Sequence, residues 1–184
     1  IALDYLLEMA PDSPQASRWK SLREGIERNV RAHLWDVKRQ KFIPHIYPEK
    51  SPIPEGFDEL AIHYHGGTAI AIEAGLLSKD EIRTVNAQML ENVRLSGMPS
   101  IGLTLYPVYP DGFFHGGMSK AYLYQNGGDW TWFGGRMIQQ LVVNGMVEEA
   151  YAEIHPMIER VIQNDGFYEW YGKGGVPSGS GNFK

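Results

Sequence analysis

Three segments of the chain place apolar residues three or four positions apart, and this spacing constrains the fold more than any other feature. The segments span residues 15–34, 79–95 and 146–162. Apolar side chains at this period, with polar residues opposite, predict amphipathic helices at a protein surface. Ser78 and Glu81 add a capping box at the start of the second segment. We therefore expect three outer helices, each with one face on a core.

A segment of different character precedes each of these stripes. Residues 1–10, 60–75 and 130–145 are apolar or small nearly all round, which is typical of buried helices. Gly75 and Gly145 follow the second and third of them and suit the left-handed residue that ends many helices. The chain thus predicts three helical hairpins, each with a buried inner helix, a tight turn and an outer helix.

Long loops leave all three outer helices. They span residues 35–59, 97–129 and 163–184, and an antiparallel array of hairpins places them at one end of the molecule. Loops longer than about 12–15 residues in a compact domain are usually functional, so we expect the functional site at this end. The alternation in "FIPHIY", residues 42–47, predicts a short β-hairpin there.

Three hairpins with buried inner helices leave those helices without enough partners. The sequence therefore predicts an all-α fold that forms about half of a ring of about six hairpins. Residues 1–184 are expected to form one partial domain, and the chain reads as cut at both ends from a longer protein.

The composition excludes several classes of function. The net charge is −5, and no Lys/Arg cluster provides the basic face that nucleic-acid binding needs. No stretch approaches the roughly 18 apolar residues of a membrane span. The sequence contains no Cys, which excludes disulfides, thiolate nucleophiles and Cys-ligated zinc. None of these features indicates a compartment.

The segment "YQNGGDWTWFGGRM", residues 124–137, has the side chains that a sugar site needs. A pyranose stacks its C–H face on a flat aromatic ring, and its hydroxyls need polar partners around it. Trp130 and Trp132 offer rings, while Gln125, Asn126 and Asp129 offer hydrogen bonds. In the structural alternative, Asp129 caps the following helix and the tryptophans fill the core.

Hydrolysis of a glycosidic bond uses two carboxyl groups, and the loops supply several candidates: Glu55, Asp58, Glu59, Asp111, Asp129 and Glu169. Glu169 is favoured because Tyr168 and Trp170 flank it, and aromatic neighbours desolvate a carboxyl group. The alternative is an exposed loop acid. Asp58 and Glu59 equally suit the N-terminus of a helix, and Asp111 suits a turn.

His63 and His65 share a helix face only poorly, although on a strand they would lie on one face. We expect no metal site, and one of the two, His65, is a candidate for binding a sugar hydroxyl. The sequence contains no nucleophile elbow and no dinucleotide fingerprint, and no cofactor is expected.

Three motifs together resemble a known family. "YQNGGDWTWFGG" resembles the sugar-binding segment of six-hairpin (α/α)6-barrel glycosidases, the group with glycogen-debranching glucosidases, trehalases and oligosaccharide-processing glucosidases. "FYEWYGKGG" resembles their base-bearing loop, and "RAHLWDVKRQKFIPHI" resembles the exit of an outer helix. The resemblance covers most of the chain and corresponds to the C-terminal half of such an (α/α)6 toroid.

The resemblance implies that Glu169 is the general base of an inverting reaction and that Asn126, Trp130 and Trp132 line the subsite, next to Tyr168. The general acid would come from the other half of the barrel, so the isolated chain is expected to be inactive. Thr131 stands where many relatives have Pro, and Asp129 is an additional carboxyl group. Both leave the subfamily and the oligosaccharide substrate open.

Three other functions remain open on the sequence alone. A phosphorylase would bind phosphate in "GKGGVPSGSGN", with Lys173 and Ser178 near a backbone nest. A sugar epimerase would use His63 or His65 as its acid and base. A non-catalytic α-toroid would bind sugar without any pair of carboxyl groups.

Overall fold

A computed structural model describes residues 1–180 and shows a mostly helical chain. The helices are α1 (Ala2–Met9), α2 (Ala16–Leu34), α3 (His65–Glu73), α4 (Lys79–Ser96), α5 (Thr131–Val143) and α6 (Val147–Gln163). Helices make up about 52% of the structure and the strands are short, so the mostly-α class is confirmed. Within the described range, no helix combines the length and the hydropathy needed to cross a bilayer. The last four residues of the predicted loop 163–184 lie outside the described part.

The three outer helices follow the amphipathic pattern closely. Their observed ranges differ from the predicted ones by one or two residues. Ser78 and Glu81 form the predicted capping box, in which each side chain accepts the other residue's backbone N–H. Gly75 and Gly145 have φ angles of 74° and 75°, as their predicted role at helix ends requires. Pro156 lies inside α6 without dividing it.

The second inner helix begins later than its sequence predicts. α3 starts at His65 rather than at residue 60, after a 3-10 turn at Glu59–Ala61 and strand β3 (His63–Tyr64). β3 pairs antiparallel with β4 (Leu105–Tyr106). The backbone hydrogen bonds of this pair replace the first turn of the predicted helix.

The main core lies where α3 packs against α5 and α5 packs against α6. Its fully buried members include Ala69, Val85, Met89, Met137 and Leu141. A Cβ atom at Gly66 would overlap the ring of Phe133. Glycine at this position therefore allows α3 and α5 to approach closely.

The first inner helix is not buried, contrary to the prediction for residues 1–10. α1 and α2 contain no buried residue, and Tyr5 and Met9 are 57% and 74% exposed. α1 packs along α2, but an all-apolar helix is buried only when neighbours cover its other sides as well.

Short antiparallel pairs join the long loops at one end of the helices. β1 (Trp35–Asp36) pairs with β2 (Lys41–Phe42), and β5 (Trp170–Tyr171) pairs with β6 (Pro177–Ser178). The prediction of a hairpin within residues 42–47 is wrong, and the observed hairpin spans residues 35–42. Val37 to Gln40 form its turn, in which Gln40 has a φ angle of 53°, and beyond the strands the N–H of Ile43 donates to Leu34 O at 2.8 Å.

Asp129 and Thr104 connect these loops through their backbones. Asp129 exchanges two hydrogen bonds with Tyr171, of 3.0 and 2.8 Å, and the next amide, of Trp130, donates to Gly102 O at 2.7 Å. Thr104 donates from its N–H to Gly128 O and from its hydroxyl to Gln125 O, both at 2.9 Å. Thr104 therefore closes the base of the loop of residues 105–124, whose first two residues also pair with β3.

Candidate functional site

A cleft of about 500 Å³ opens at the loop end, where the start of α5 faces the segment after α6. Its walls are Gln125, Trp130, Thr131, Trp132, Phe133, Phe167, Tyr168 and Glu169. Five of the predicted site residues, namely Gln125, Trp130, Trp132, Tyr168 and Glu169, are therefore together on one surface. They lie at the two ends of one helical hairpin, before and at the start of α5 and after the end of α6, and the bridge between Asp129 and Tyr171 joins these two segments.

The two tryptophans are supported from behind. Trp130 Nε1 donates to Tyr124 O at 3.2 Å, and the Tyr124 ring meets it edge-on at 4.9 Å. The Arg136 guanidinium lies 4.8 Å from the Trp132 ring centre and forms an ion pair with Glu73 of α3. Trp132 remains 54% exposed, so its ring is oriented by contacts and still available to a ligand.

Glu169 is half-buried in the cleft wall and held at one oxygen. Its Oε2 accepts the backbone N–H of Ser180 at 2.7 Å. Oε1 has no hydrogen-bond or ion-pair partner among residues 1–180. A Cβ atom at Gly179, where φ is 82°, would overlap this carboxylate. The turn that holds Glu169 therefore requires glycine.

Asp129 lies behind the cleft rather than in it. The side chain is fully buried, with Oδ1 2.9 Å from Arg160 Nη1 and Oδ2 accepting the Ser100 hydroxyl at 2.7 Å. Burial raises the pKa of Asp129, against the opposing effects of the Arg160 charge and these hydrogen bonds. The residue that caps α5 is Trp130, without a side-chain hydrogen bond. The prediction of a sugar contact is corrected, because the ion pair with Arg160 occupies this carboxylate, and the alternative of a helix cap does not hold either.

Asn126 is also corrected from a sugar contact to a structural residue. It is fully buried. Its side-chain oxygen accepts the N–H of Tyr109 at 2.9 Å, and its amide nitrogen donates to the carbonyls of Tyr109 and Lys120 at 3.1 and 3.3 Å. Asn126 thus fixes the loop before the cleft and has no surface left for a ligand.

His65 is the first residue of α3 and is 1% exposed. Its Nε2 is 3.1 Å from Asn92 Nδ2, and its ring centre is 5.3 Å from that of His63. Burial lowers the pKa of both imidazoles, that of His63 to about 3. His65 is therefore corrected from a sugar contact to a buried residue, because its ring packs against Asn92 of α4 and His63. Within the described residues no group of three or more His, Asp or Glu side chains could hold a metal ion.

A second polar cluster surrounds Glu59, which the sequence suggested as a candidate carboxyl group for hydrolysis or as a charge at the start of a helix. Its Oε1 accepts hydrogen bonds from the hydroxyls of Tyr109 (2.7 Å) and Tyr47 (2.8 Å) and lies 2.8 Å from His45 Nδ1. Burial acts to raise the pKa of Glu59, but these hydrogen bonds outweigh it and lower the pKa. The partners come from 50, 12 and 14 residues away, so no local spacing could have revealed the cluster.

The remaining polar candidates lie elsewhere. Asp111 accepts the backbone N–H of Ala121 at 2.8 Å and closes a loop. The Lys173 ammonium lies 3.6 Å from the Tyr122 ring centre, and Ser178 is part of β6. Neither Lys173 nor Ser178 lines the cleft.

Comparisons of the chain with protein-family models and with curated proteins find no match.

Proposed function

We propose that this chain supplies the sugar-binding wall and the general base of an inverting glycoside hydrolase that acts on an oligosaccharide. The observation that carries the proposal is the position of Glu169 in the same cleft as Trp130, Trp132 and Tyr168. On this proposal the chain is part of an (α/α)6 barrel whose other half completes the site.

The cleft suits a sugar in size and in chemistry. Its volume falls within the roughly 300–1,000 Å³ of small-ligand sites. The exposed ring of Trp132 offers a stacking platform for the C–H face of a pyranose, and the exposed Gln125 offers a donor and an acceptor for hydroxyls. An aromatic-walled cleft with few charges favours a neutral, hydroxylated ring.

Glu169 has the arrangement that a general base needs. The Ser180 amide fixes one carboxylate oxygen, and among the residues that the structure describes the other has no partner and can accept a proton from water. An inverting reaction also needs an acid roughly 6.5–9.5 Å away across the sugar. Glu169 is the only carboxyl group lining this cleft within residues 1–180, so the general acid has to come from another part of the protein.

A sugar-binding module without catalysis is the second candidate, favoured by that single carboxyl group. A phosphorylase receives less support, because Lys173 and Ser178 do not line the cleft. An epimerase based on His63 or His65 receives less as well, because both rings are buried.

The test compares Glu169→Gln with Glu159→Gln, an acid on α6 whose side chain is 59% exposed. Maltose and longer gluco-oligosaccharides are titrated while tryptophan fluorescence is recorded, and hydrolysis is measured on the polypeptide that carries this sequence in the cell. We expect Glu169→Gln to bind sugar and to lose at least 1,000-fold in kcat, about 4 kcal/mol in activation free energy. Glu159→Gln should behave as the unaltered protein.

The two candidates differ in one outcome. If Glu169→Gln keeps both binding and turnover, or if no turnover occurs in any form while binding persists, the hydrolase proposal fails and the binding module remains. If Trp132→Ala leaves the affinity unchanged, both fail.

A further inference from the structure

A second concave site lies between α2 and α3 and shares no lining residue with the Glu169 cleft. This groove, of about 380 Å³, is lined by Val30, Leu34, Phe42, Ile43, Pro44, His45, Tyr64, Gly67, Thr68 and Ala71. Most of its walls are apolar, and His45 is the one lining residue with a titratable nitrogen. We call it the His45 groove.

The Glu59 cluster determines which nitrogen of His45 faces a ligand. Because its pKa is lowered, the Glu59 carboxylate is ionised near neutral pH and only accepts hydrogen bonds. Nδ1 of His45, 2.8 Å from Oε1, therefore carries the hydrogen. In the neutral ring this leaves Nε2 as an acceptor, and within residues 1–180 Nε2 has no hydrogen-bond partner. An oriented acceptor is thus present on a side chain that is 45% exposed.

Tyr64 gives the groove an aromatic wall. Its hydroxyl donates to Tyr109 at 3.2 Å, and the His45 ring meets it edge-on at 5.9 Å. These contacts fix the ring while its side chain still lines the groove. Glu59 is already paired with three donors, so no unpaired charge attracts an ionic ligand to this side.

The His45 groove repeats a feature of the Glu169 cleft. Each site has an aromatic residue two positions before a Gly-Gly pair at the start of an inner helix, Tyr64 before Gly66 and Trp132 before Gly134. In each pair the first glycine is packed against a neighbouring element, and the second has no atom closer than 3.9 Å to a Cβ position. Both inner helices therefore present an aromatic ring beside open backbone.

We propose that the His45 groove is a second sugar-binding site, in which a pyranose packs against Tyr64 and donates a hydroxyl hydrogen bond to Nε2 of His45. It takes the sugar class from the proposed function but uses none of the residues of the Glu169 cleft. The site binds rather than reacts, because no second acid or base lines it.

Nuclear magnetic resonance separates the two sites in the full 184-residue chain. The backbone amides of Gly67 and Thr68 report on the His45 groove, and the indole N–H signals of Trp130 and Trp132 report on the cleft. Maltose is the ligand, and sorbitol, a polyol without a ring face, is the control. We expect saturable shifts of the Gly67 and Thr68 amides with maltose and none with sorbitol.

The decisive variant is His45→Gln. Its matched control is His155→Gln, which changes an exposed histidine of α6. His45→Gln should weaken the response at Gly67 at least tenfold and leave the indole titration unchanged, which also shows that the variant is folded. His155→Gln should change neither. If maltose shifts the indoles but not Gly67, or if His45→Gln leaves the Gly67 response intact, the second site is overturned while the proposed function stands. If Gly67 responds and the indoles do not, the proposed function fails and this site survives.

Discussion

The α1–α2 hairpin and the helices α3–α6 have similar sequence patterns but very different burial. Both regions alternate an apolar inner helix with an amphipathic outer one. In α3–α6 the inner helices contribute ten buried residues, five on α3 and five on α5, whereas α1 and α2 contribute none. The comparison shows that an apolar pattern indicates which side chains of a helix can be buried. Whether those side chains are buried depends on the neighbouring helices.

Lowering the pH should produce the largest difference in stability between the two regions. The folded pKa values of His63 and His65 are lowered by burial, so the folded state keeps them neutral while the unfolded chain takes up protons below its pKa of about 6.5. The stability they contribute is complete above that value and is lost as the pH falls towards about 3, the folded pKa of His63. We expect urea unfolding at several pH values to show a loss of up to about 1.4 kcal/mol per pH unit for each histidine.

Glu153 provides an internal control for this pH dependence. Burial raises its pKa to about 7, so its contribution to stability is complete below its ordinary value of 4.5 and is lost as the pH rises through 7. Glu153→Gln removes this opposing trend and should make the acid-induced loss steeper. A loss that becomes shallower in Glu153→Gln would contradict the assignment.

Arg160→Leu is expected to have the next largest effect, because it leaves the buried carboxylate of Asp129 without its partner. Removing one member of a buried ion pair costs about 3–5 kcal/mol. Thermal unfolding measures this loss, and the same experiment on Arg94→Leu, an exposed pair with Glu91 on α4, should show no change. Equal effects of the two variants would mean that Arg160 is not buried as described.

Adjacent glycines offer a smaller and sharper test of the packing between α3 and α5. Gly66→Ala should destabilise by about 1–3 kcal/mol, because the added methyl group overlaps the Phe133 ring. Gly67→Ala should stabilise by about 0.5–1 kcal/mol, because alanine favours helix and its Cβ meets nothing closer than 3.9 Å. Denaturation curves of the two variants measure these changes in stability. Two changes of the same sign would contradict the close packing of Gly66 against Phe133.

The smallest effects are expected in the α1–α2 hairpin. Ile26→Ala and Leu22→Ala remove side chains that are 56% and 47% exposed, so each should change the free energy of unfolding by at most about 0.5 kcal/mol. Leu141→Ala, in the core at the end of α5, should cost about 2–5 kcal/mol by comparison. If Ile26→Ala lowers the free energy of unfolding as much as Leu141→Ala does, the α1–α2 hairpin is covered in solution. Sedimentation then gives the size of the partner that covers it.

The sequence predicted the helices well because their information is local. In α2, α4 and α6 the apolar residues three or four positions apart indicate both the helical period and the extent of each helix. Ser78, Gly75 and Gly145 mark helix boundaries through their own conformational preferences. The meeting of Glu169 with Trp130 was predictable for a related reason, since antiparallel hairpins place their long loops at the same end.

The remainder depended on contacts between distant residues. Asn126 and Asp129 have side chains that suit a sugar, and only the positions of Tyr109 and Arg160 show that their polar atoms are already paired. The Glu59 cluster was missed for the same reason, because its donors come from two separate segments, one with His45 and Tyr47 and the other with Tyr109. Polar residues near a site therefore divide into those that bind ligand and those that hold the loops, and sequence alone does not separate them.

Thr104 has a consequence for protein engineering at this surface. Because Thr104 bonds to Gln125, Gly127 and Gly128, it closes the base of the loop of residues 105–124 independently of the length of the loop's exposed tip. Closing a longer loop costs only about 0.6 kcal/mol per doubling of its length. The exposed residues His115 to Gly117 are thus the place where foreign sequence of variable length can be inserted, provided that Phe113 and Phe114 keep their contacts with Tyr109.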